Sequence, residues 1–284
     1  MILVDGPNFT WRAHHVGKEL RSKGRLTGVL HVGLGMLASM TDLFEEQRII
    51  FLWDRSPSFR KAIYPEYKAN RDYGDDNEER TAVYAQVDIF RQVLGYVGVW
   101  QLERAEHEAD DLAGIVSSTH HSQRPITLIS SDKDWFQLLR GEHIVLVRGW
   151  KGKTLDRWTA ERVFKEHGVP AGRWHEYTAL KGDEGDNIPN IRRGIGPVAA
   201  KKILAGKMIM TPAEEAVYQR NLQLTTIRRK ADGWKLGLEV ETGERSEQSW
   251  LKLENTLDEY ELYSVFNERR KLWIIGKWKE NAYA

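Results

Sequence analysis

The chain has 284 residues, 42 Lys and Arg against 41 Asp and Glu, 41% hydrophobic residues and a mean hydropathy of −0.55. That length suits one large or two modest domains with a real core, and no apolar run approaches the about 20 residues of a membrane span. Cysteine is absent, which excludes disulfides, thiolate zinc sites and cysteine nucleophiles and fits a reducing cytoplasm.

The first predicted element is a short strand, Ile2-Leu3-Val4, running straight into Asp5. With no basic leader or long apolar region before it, this start does not read as a signal peptide. A helical period covers Val29 to Phe44, and a second strand, Ile49 to Trp53, ends in Asp54. Residues Tyr64 to Arg80 are polar, Tyr-rich and charged, and read as a mobile segment or loose helices inserted into the fold. The helical period returns over Val83 to Leu94, and Glu108-Ala109-Asp110-Asp111 opens another helix. A third strand, Ile126 to Ser131, leads into Asp132. Uninterrupted apolar strands suit a sheet buried on both faces, and strand–helix alternation predicts an α/β fold with a mostly parallel central sheet flanked by helices.

This α/β body is expected over residues 1–155, with the insertion at about 60–85. The strand signal fades after Leu155, and a helical subdomain is expected over 156–235. Within it, Thr211-Pro212-Ala213-Glu214 is a capping box that starts a helix. The segment 236–284, rich in Trp, Tyr and charge, has no assigned role.

Ligands of open α/β sheets gather beyond the carboxyl ends of the strands, where these acids fall. The candidate set is Asp5, Asp54, Glu108, Asp110, Asp111, Asp132, Asp134, Asp183 and Asp186. Glu108 and Asp111 would share a helix face, with Asp110 pointing away unless the helix begins after Glu108. Asp132 and Asp134 would project to one side of an extended strand end, and Asp183 and Asp186 fit one helical turn. If these carboxylates converge, only cations can relieve their repulsion. All-oxygen donors without Cys or paired His point to Mg²⁺ or Mn²⁺. Two such ions about 3.5–4 Å apart would clamp the attacking and leaving oxygens of a phosphodiester displacement.

Net charge is +1, so setting these nine acids aside as metal ligands leaves the rest of the chain at +10. A basic body suits a phosphate backbone. Arg60-Lys61 and the stretch Tyr64 to Arg71 form one basic, aromatic cluster, in which Tyr67 would stack on a base while Lys68 and Arg71 grip phosphates. Ile191 to Lys202 forms another: a Gly194-Ile195-Gly196 turn, Pro197 at the start of a helix, and Lys201 and Lys202 beside amides that face a phosphate. The stretch Gly149 to Thr154 imitates a P-loop but has Val147 where the first glycine belongs, and reads as a turn. The pairs His14-His15 and His120-His121 lack metal-ligand spacing.

In this order and spacing, the motifs resemble the 5′-nuclease family: flap endonucleases, phage 5′–3′ exonucleases and the N-terminal nuclease domain of bacterial DNA polymerase I. The resemblance runs from residue 1 to about 225, where Arg220-Asn221-Leu222-Gln223-Leu224 also fits. It implies a PIN-like fold with a C-terminal helix–hairpin–helix subdomain, in a monomer of a bacterial or phage-infected cell. It also implies two-metal cleavage of DNA at 5′ flaps and at nicked or gapped duplex, with RNA–DNA hybrid as a further substrate. Asp5, Asp54, Glu108, Asp110 and Asp111 would hold the first ion, and Asp132, Asp134, Asp183 and Asp186 the second. Lys68 and Arg71 would act on the scissile phosphate. The family's helical arch would begin at Tyr67, Lys68 and Arg71. Arg12 matches a basic DNA-binding position, and the turn at Gly194 and Gly196 would grip duplex with a bound K⁺. Asn190 stands where the family usually has glycine, and the arch after Arg71 is short and acidic. The remaining alternatives are a catalytically inactive DNA-junction-binding protein and a PIN-like endoribonuclease. No polymerase domain is expected in the chain.

Overall fold

Ile2 to Val4 carry no polar side chain and have no exposed surface, because β1 (Ile2–Asp5) runs through the middle of the sheet. The computed structural model describes residues 1–44, 48–55, 58–71, 78–120, 125–229, 239–242 and 246–266. After β1 come α1 (Gly6–Gly17), a small hairpin of β2 (Arg21–Ser22) and β3 (Arg25–Leu26), and α2 (Gly28–Leu43). Then follow β4 (Ile49–Leu52), α3 (Phe59–Ile63), α4 (Glu78–Tyr96), β5 (Trp100–Glu103), α5 (Ala109–His120) and β6 (Ile126–Ile129). A hairpin of β7 (Ile144–Lys151) and β8 (Thr154–Trp158) completes that half of the chain. The helices α6 (Ala160–His167), α7 (Trp174–Lys181), α8 (Pro197–Leu204) and α9 (Pro212–Thr225) come next. Last are β9 (Glu239–Thr242), α10 (Glu247–Glu259) and α11 (Tyr263–Phe266).

The main sheet has the order β8-β7-β6-β1-β4-β5-β9. Its neighbours from β7 to β5 are parallel and the two edges are antiparallel, so the expected mostly parallel sheet is present. From β1 the chain goes first to β4 on one side and later to β6 on the other. The order therefore reverses at β1, and a crevice opens beyond the carboxyl ends of β1, β4 and β6. One face of the sheet packs Phe9, Phe51 and Phe90 with the apolar sides of α1, α2 and α4. The other packs Leu112, Trp135, Phe136 and Leu180 against Leu3 and Leu128.

Two expectations change here. The strand signal does not end at Leu155: β8 continues to Trp158, paired with β7 across a two-residue turn in which Gly152 has φ +56°. Its side chains are mostly exposed, so it lacks the apolar run that marks the buried strands. That turn is also the P-loop look-alike. Past residue 235, the described residues 239–242 and 246–266 add to the α/β body: β9 extends the sheet beside β5, and α10 buries Leu253 and Leu257 in the core that holds Phe9, Phe51 and Phe90. Residues 267–284 and the acidic stretch Asp72, Asp75 and Asp76 lie outside the described residues. The capping box at Thr211 and Glu214 forms as expected.

Candidate active site

Asp5 closes β1 and caps α1, accepting from the Asn8 amide at 3.1 Å and from Ser130 Oγ at 2.7 Å. The next residue must be glycine, since a Cβ on Gly6 would lie 2.5 Å from the Trp53 ring. Burial pushes the Asp5 carboxyl up to about 7, with the charges of Asp54 and Asp132 adding to it and the Ser130 and Asn8 bonds opposing it. Asp54, just past β4, accepts from the Ala109 amide at 2.8 Å. Desolvation and Glu108 raise it against the pull of Lys68.

The helix α5 begins at Ala109, after Glu108, and that start sorts the four-residue motif. Asp110 faces the crevice, where burial and the charges of Asp132 and Asp5 raise it well above the usual range, and Trp135 Nε1 donates to it at 2.6 Å. Asp111 turns inward and is fully buried.

Asp132 and Asp134 follow β6 in a turn. Asp132 accepts from the Asp134 amide at 2.8 Å, and Asp134 opens a 3₁₀ turn ending at Leu138. They are therefore not in the extended geometry expected; the Asp132 side chain caps a turn instead. Asp183 and Asp186 likewise do not lie on a helix, because α7 ends at Lys181. Gly182 (φ +76°) turns the chain, and Asp183 accepts from the amides of Gly185 (2.9 Å) and Asp186 (3.3 Å) within a loop closed by an Asp183–Ile188 bridge. Burial and the charges of Asp132, Asp186 and Asp183 raise Asp134 well above its usual range.

Lys68 stands between the two groups. Its Nζ is 2.9 Å from Glu108 Oε1 and 3.9 Å from Asp186 Oδ2. Burial pulls the ammonium down, but Glu108, Asp186, Asp54 and Asp110 outweigh it and raise its pKa. Its backbone is left-handed (φ +57°), with its amide donating to Asp186 O at 2.9 Å. Arg71 pairs with the Asp186 carboxylate and donates through Nε to Gly185 O at 2.9 Å. Residues 66–71 are thus joined to the turn that carries Asp183 and Asp186, with Asn187 Nδ2 on Glu66 O (2.7 Å) and Asn70 Nδ2 on Glu184 O (2.6 Å).

Four expected site residues are placed differently. Arg60 is buried, its guanidinium set against Asp111 at 2.7 and 2.9 Å and Glu108 at 3.3 Å, so it is not a surface DNA contact. With no exposed surface and both oxygens on Arg60, Asp111 is set back from the other acids of the motif, against its expected place as a metal ligand; Arg60 holds its carboxyl below the usual range despite burial. Tyr67 is also buried and cannot stack on a base in this arrangement, since its hydroxyl donates toward Glu108 (3.1 Å) and Asp186 (3.0 Å). Arg12 donates to Arg148 O at 3.0 Å and lies over Trp150, tied to β7. The physical reason is common to all four: these polar side chains found partners within the fold that spacing alone does not reveal. His14 is buried beside Glu79 (3.2 Å). Gly194 (φ +80°) and Gly196 form the turn before α8, with Lys61 and Lys202 exposed and Lys201 half-buried. Sequence reasoning missed Ser130, Trp135 and Gln137, although Trp135 and Gln137 lie within three residues of Asp134.

Among the described residues, no three acidic or histidine side chains close on a common point at metal-bonding reach. Lys68, Arg71, Tyr67 and Trp135 hold individual carboxylates. The donor set nevertheless fits a hard divalent cation: it is all carboxylate, and desolvation with mutual repulsion raises Asp5, Asp54, Asp110, Asp132 and Asp134 together.

Residues 1–168 match the family model described as 5′–3′ exonuclease, N-terminal resolvase-like domain. The chain belongs to the 5′–3′ exonuclease family. DNA polymerase I of Pseudomonas aeruginosa is 32% identical over 209 residues and that of Mycobacterium tuberculosis 30% over 212, in each case 72% of this chain. The chain spans only 22% and 23% of those polymerases. Among solved structures, the bacteriophage T5 5′-exonuclease, described with bound divalent zinc ions, covers 79% of this chain and 88% of its own at 24% identity, with a TM-score of 0.63. At that identity the likeness establishes the fold, the PIN-like sheet that the 5′–3′ exonuclease family shares with flap endonucleases.

Proposed function

We propose that this chain hydrolyses phosphodiester bonds of DNA near 5′ ends and at single-strand/duplex junctions, as a divalent-metal-dependent 5′–3′ exonuclease and flap endonuclease. Its biological setting would be primer and flap removal in replication or repair. One observation carries the reading: Asp54, Glu108, Asp110, Asp132 and Asp186, five carboxylates from four separate segments, all act on Lys68, whose Nζ lies 2.9 Å from Glu108. A site built for a neutral substrate has no reason to gather that much like charge.

Asp5, Asp54, Glu108 and Asp110 would hold one Mg²⁺ and Asp132, Asp134, Asp183 and Asp186 a second, with Mn²⁺ as substitute. Bound there, the ions supply Lewis-acid stabilisation and lower the pKa of water. Ser130 and Asn8 fix Asp5, and Trp135 fixes Asp110. Lys68 and Arg71 exchange their carboxylate partners for the oxygens of the scissile phosphate as negative charge develops there. Lys61, the Gly194–Gly196 turn, the α8 amides, Lys201 and Lys202 would hold duplex backbone without reading sequence, with K⁺ at the turn. The substrates would be 5′ flaps and nicked or gapped DNA, RNA–DNA hybrid included, and the enzyme a cytoplasmic monomer.

Product sizing on 5′-labelled flap and blunt duplexes, with Mg²⁺ and with EDTA, tests this directly. Short 5′ products that require Mg²⁺ are expected. Intact substrate with Mg²⁺ at every DNA structure offered would overturn the proposal.

A further inference from the structure

The end of α9 and the residues that follow it, 221–228, touch three of the pieces that carry the crevice carboxylates: α5, the turn after β6 and the chain on either side of the Asp183–Asp186 turn. The fully buried Asn221 donates through Nδ2 to Ala179 O in α7 (2.9 Å) and to Pro189 O (2.6 Å), gripping the chain on both sides of the Asp183–Asp186 turn. The last carbonyls of a helix have no partner within it. Here Leu224 O accepts from Arg60 Nε at 2.7 Å and Thr226 O from Arg60 at 3.3 Å. Thr225 O accepts from Gln137 Nε2 at 3.0 Å, and the Ile227 amide donates back to Gln137 Oε1 at 2.9 Å. Gln137 is fully buried and lies three residues beyond Asp134. The Arg228 amide reaches Asp111 at 3.1 Å. The segment also lies directly on α5, because a Cβ on Gly114 would fall 2.1 Å from Arg228 O.

A helix end needs only local caps, and a glycine would do. Instead its backbone groups are satisfied by buried side chains from three other parts of the fold. Buried amides are costly unless bonded, so each of these bonds restricts where its own segment can sit. We propose that residues 221–228 are a positioning strap that sets the spacing between the two groups of carboxylates, and that Gln137 and Asn221 are its positioning residues. The inference rests on the metal-dependent function proposed above and adds to it a determinant of cation affinity that lies outside the ligand set.

Gln137→Met and Asn221→Ser in the full chain test it, with Mn²⁺ titrated calorimetrically into DNA-free protein. Partners that orient metal ligands typically change affinity about 10–100-fold, so an apparent Kd for Mn²⁺ at least about tenfold weaker is expected. The metal concentration for half-maximal cleavage should rise in step, with KM for flap DNA within about twofold and the rate recovering at high metal. Leu257→Ala, in the core at α10 and remote from the carboxylates, serves as a stability control that should lower Tm without moving metal affinity. The strap is refuted if either folded variant binds Mn²⁺ as the parent does, or if Leu257→Ala weakens binding equally. Calorimetry needs no cleavage, so a parent chain without nuclease activity would sink the functional proposal and leave this one measurable.

Discussion

Arg60 and Asp111 meet fork to fork, at 2.7 and 2.9 Å, with side-chain exposures of 3% and 0%. Removing one partner of such a pair leaves an uncompensated buried charge, at a cost of about 3–5 kcal/mol. Asp111→Asn should therefore lower thermal stability sharply, and Arg60→Met added to it should restore only part of the loss, because Leu224 O and Thr226 O then lose their donor. Unfolding monitored by circular dichroism checks both; an Asp111→Asn protein that melts like the parent but loses metal binding would return Asp111 to the ligand set.

The crevice acids predict a second effect. Asp132→Asn or Asp183→Asn should abolish cleavage while DNA affinity stays within a few fold, because the proposed duplex contacts, Lys61 and the turn and helix at Gly194 to Lys202, involve neither acid. Single-turnover cleavage and equilibrium binding in Ca²⁺ separate the two, and cleavage retained in Mg²⁺ would remove these acids from the site.

Lys68 lies within reach of Glu108 and Asp186 and is half-buried, which suits a cation held ready for the phosphate. Lys68→Ala should slow the single-turnover rate by about 10²–10³-fold, the scale for losing one preorganised charge-stabilising donor. An unchanged rate rules that role out.

The raised carboxyls make metal-free stability pH-dependent. Asp5 titrates at about 7 in the fold, facing Asp54 and Asp132, against its ordinary 3.8. The folded chain therefore holds this proton more tightly than the unfolded chain. That contribution is complete below the ordinary value and is lost as pH rises through 7. Asp110 and Asp134 act in the same direction. In EDTA, Tm should fall from about pH 5 to pH 8, and Asp5→Asn should flatten the fall. Mg²⁺ should raise Tm most at the alkaline end, where the carboxylates are free to bind it. A Tm that rises over this range in EDTA would contradict the assignment.

Lys201 and Lys202 lie in the last turn of α8, behind the glycine turn. Changing both to Ala should weaken binding similarly across DNA sequences and reduce the log–log salt slope by about 0.9 for each phosphate no longer neutralised. Fluorescence anisotropy over a salt series measures it, and an unaltered slope would place the duplex on another surface.

The sequence by itself determined the sheet strands that lead into acids and the turn at Gly194 to Pro197 that starts α8. Those features are written in local pattern: uninterrupted apolar runs, turn glycines, and acids at strand ends. It also held the condition for Asp110, which depended only on where α5 begins. Only the tertiary structure decided that Arg60, Tyr67 and Asp111 face inward, that β8 and β9 complete the sheet, and that Gln137 and Asn221 tie α9 to the crevice. Arg60 and Leu224 are 164 positions apart, and Gln137 and Ile227 are 90 apart. A long polar side chain has the same local signature whether it meets solvent, a phosphate or a buried partner, and packing alone selects among them.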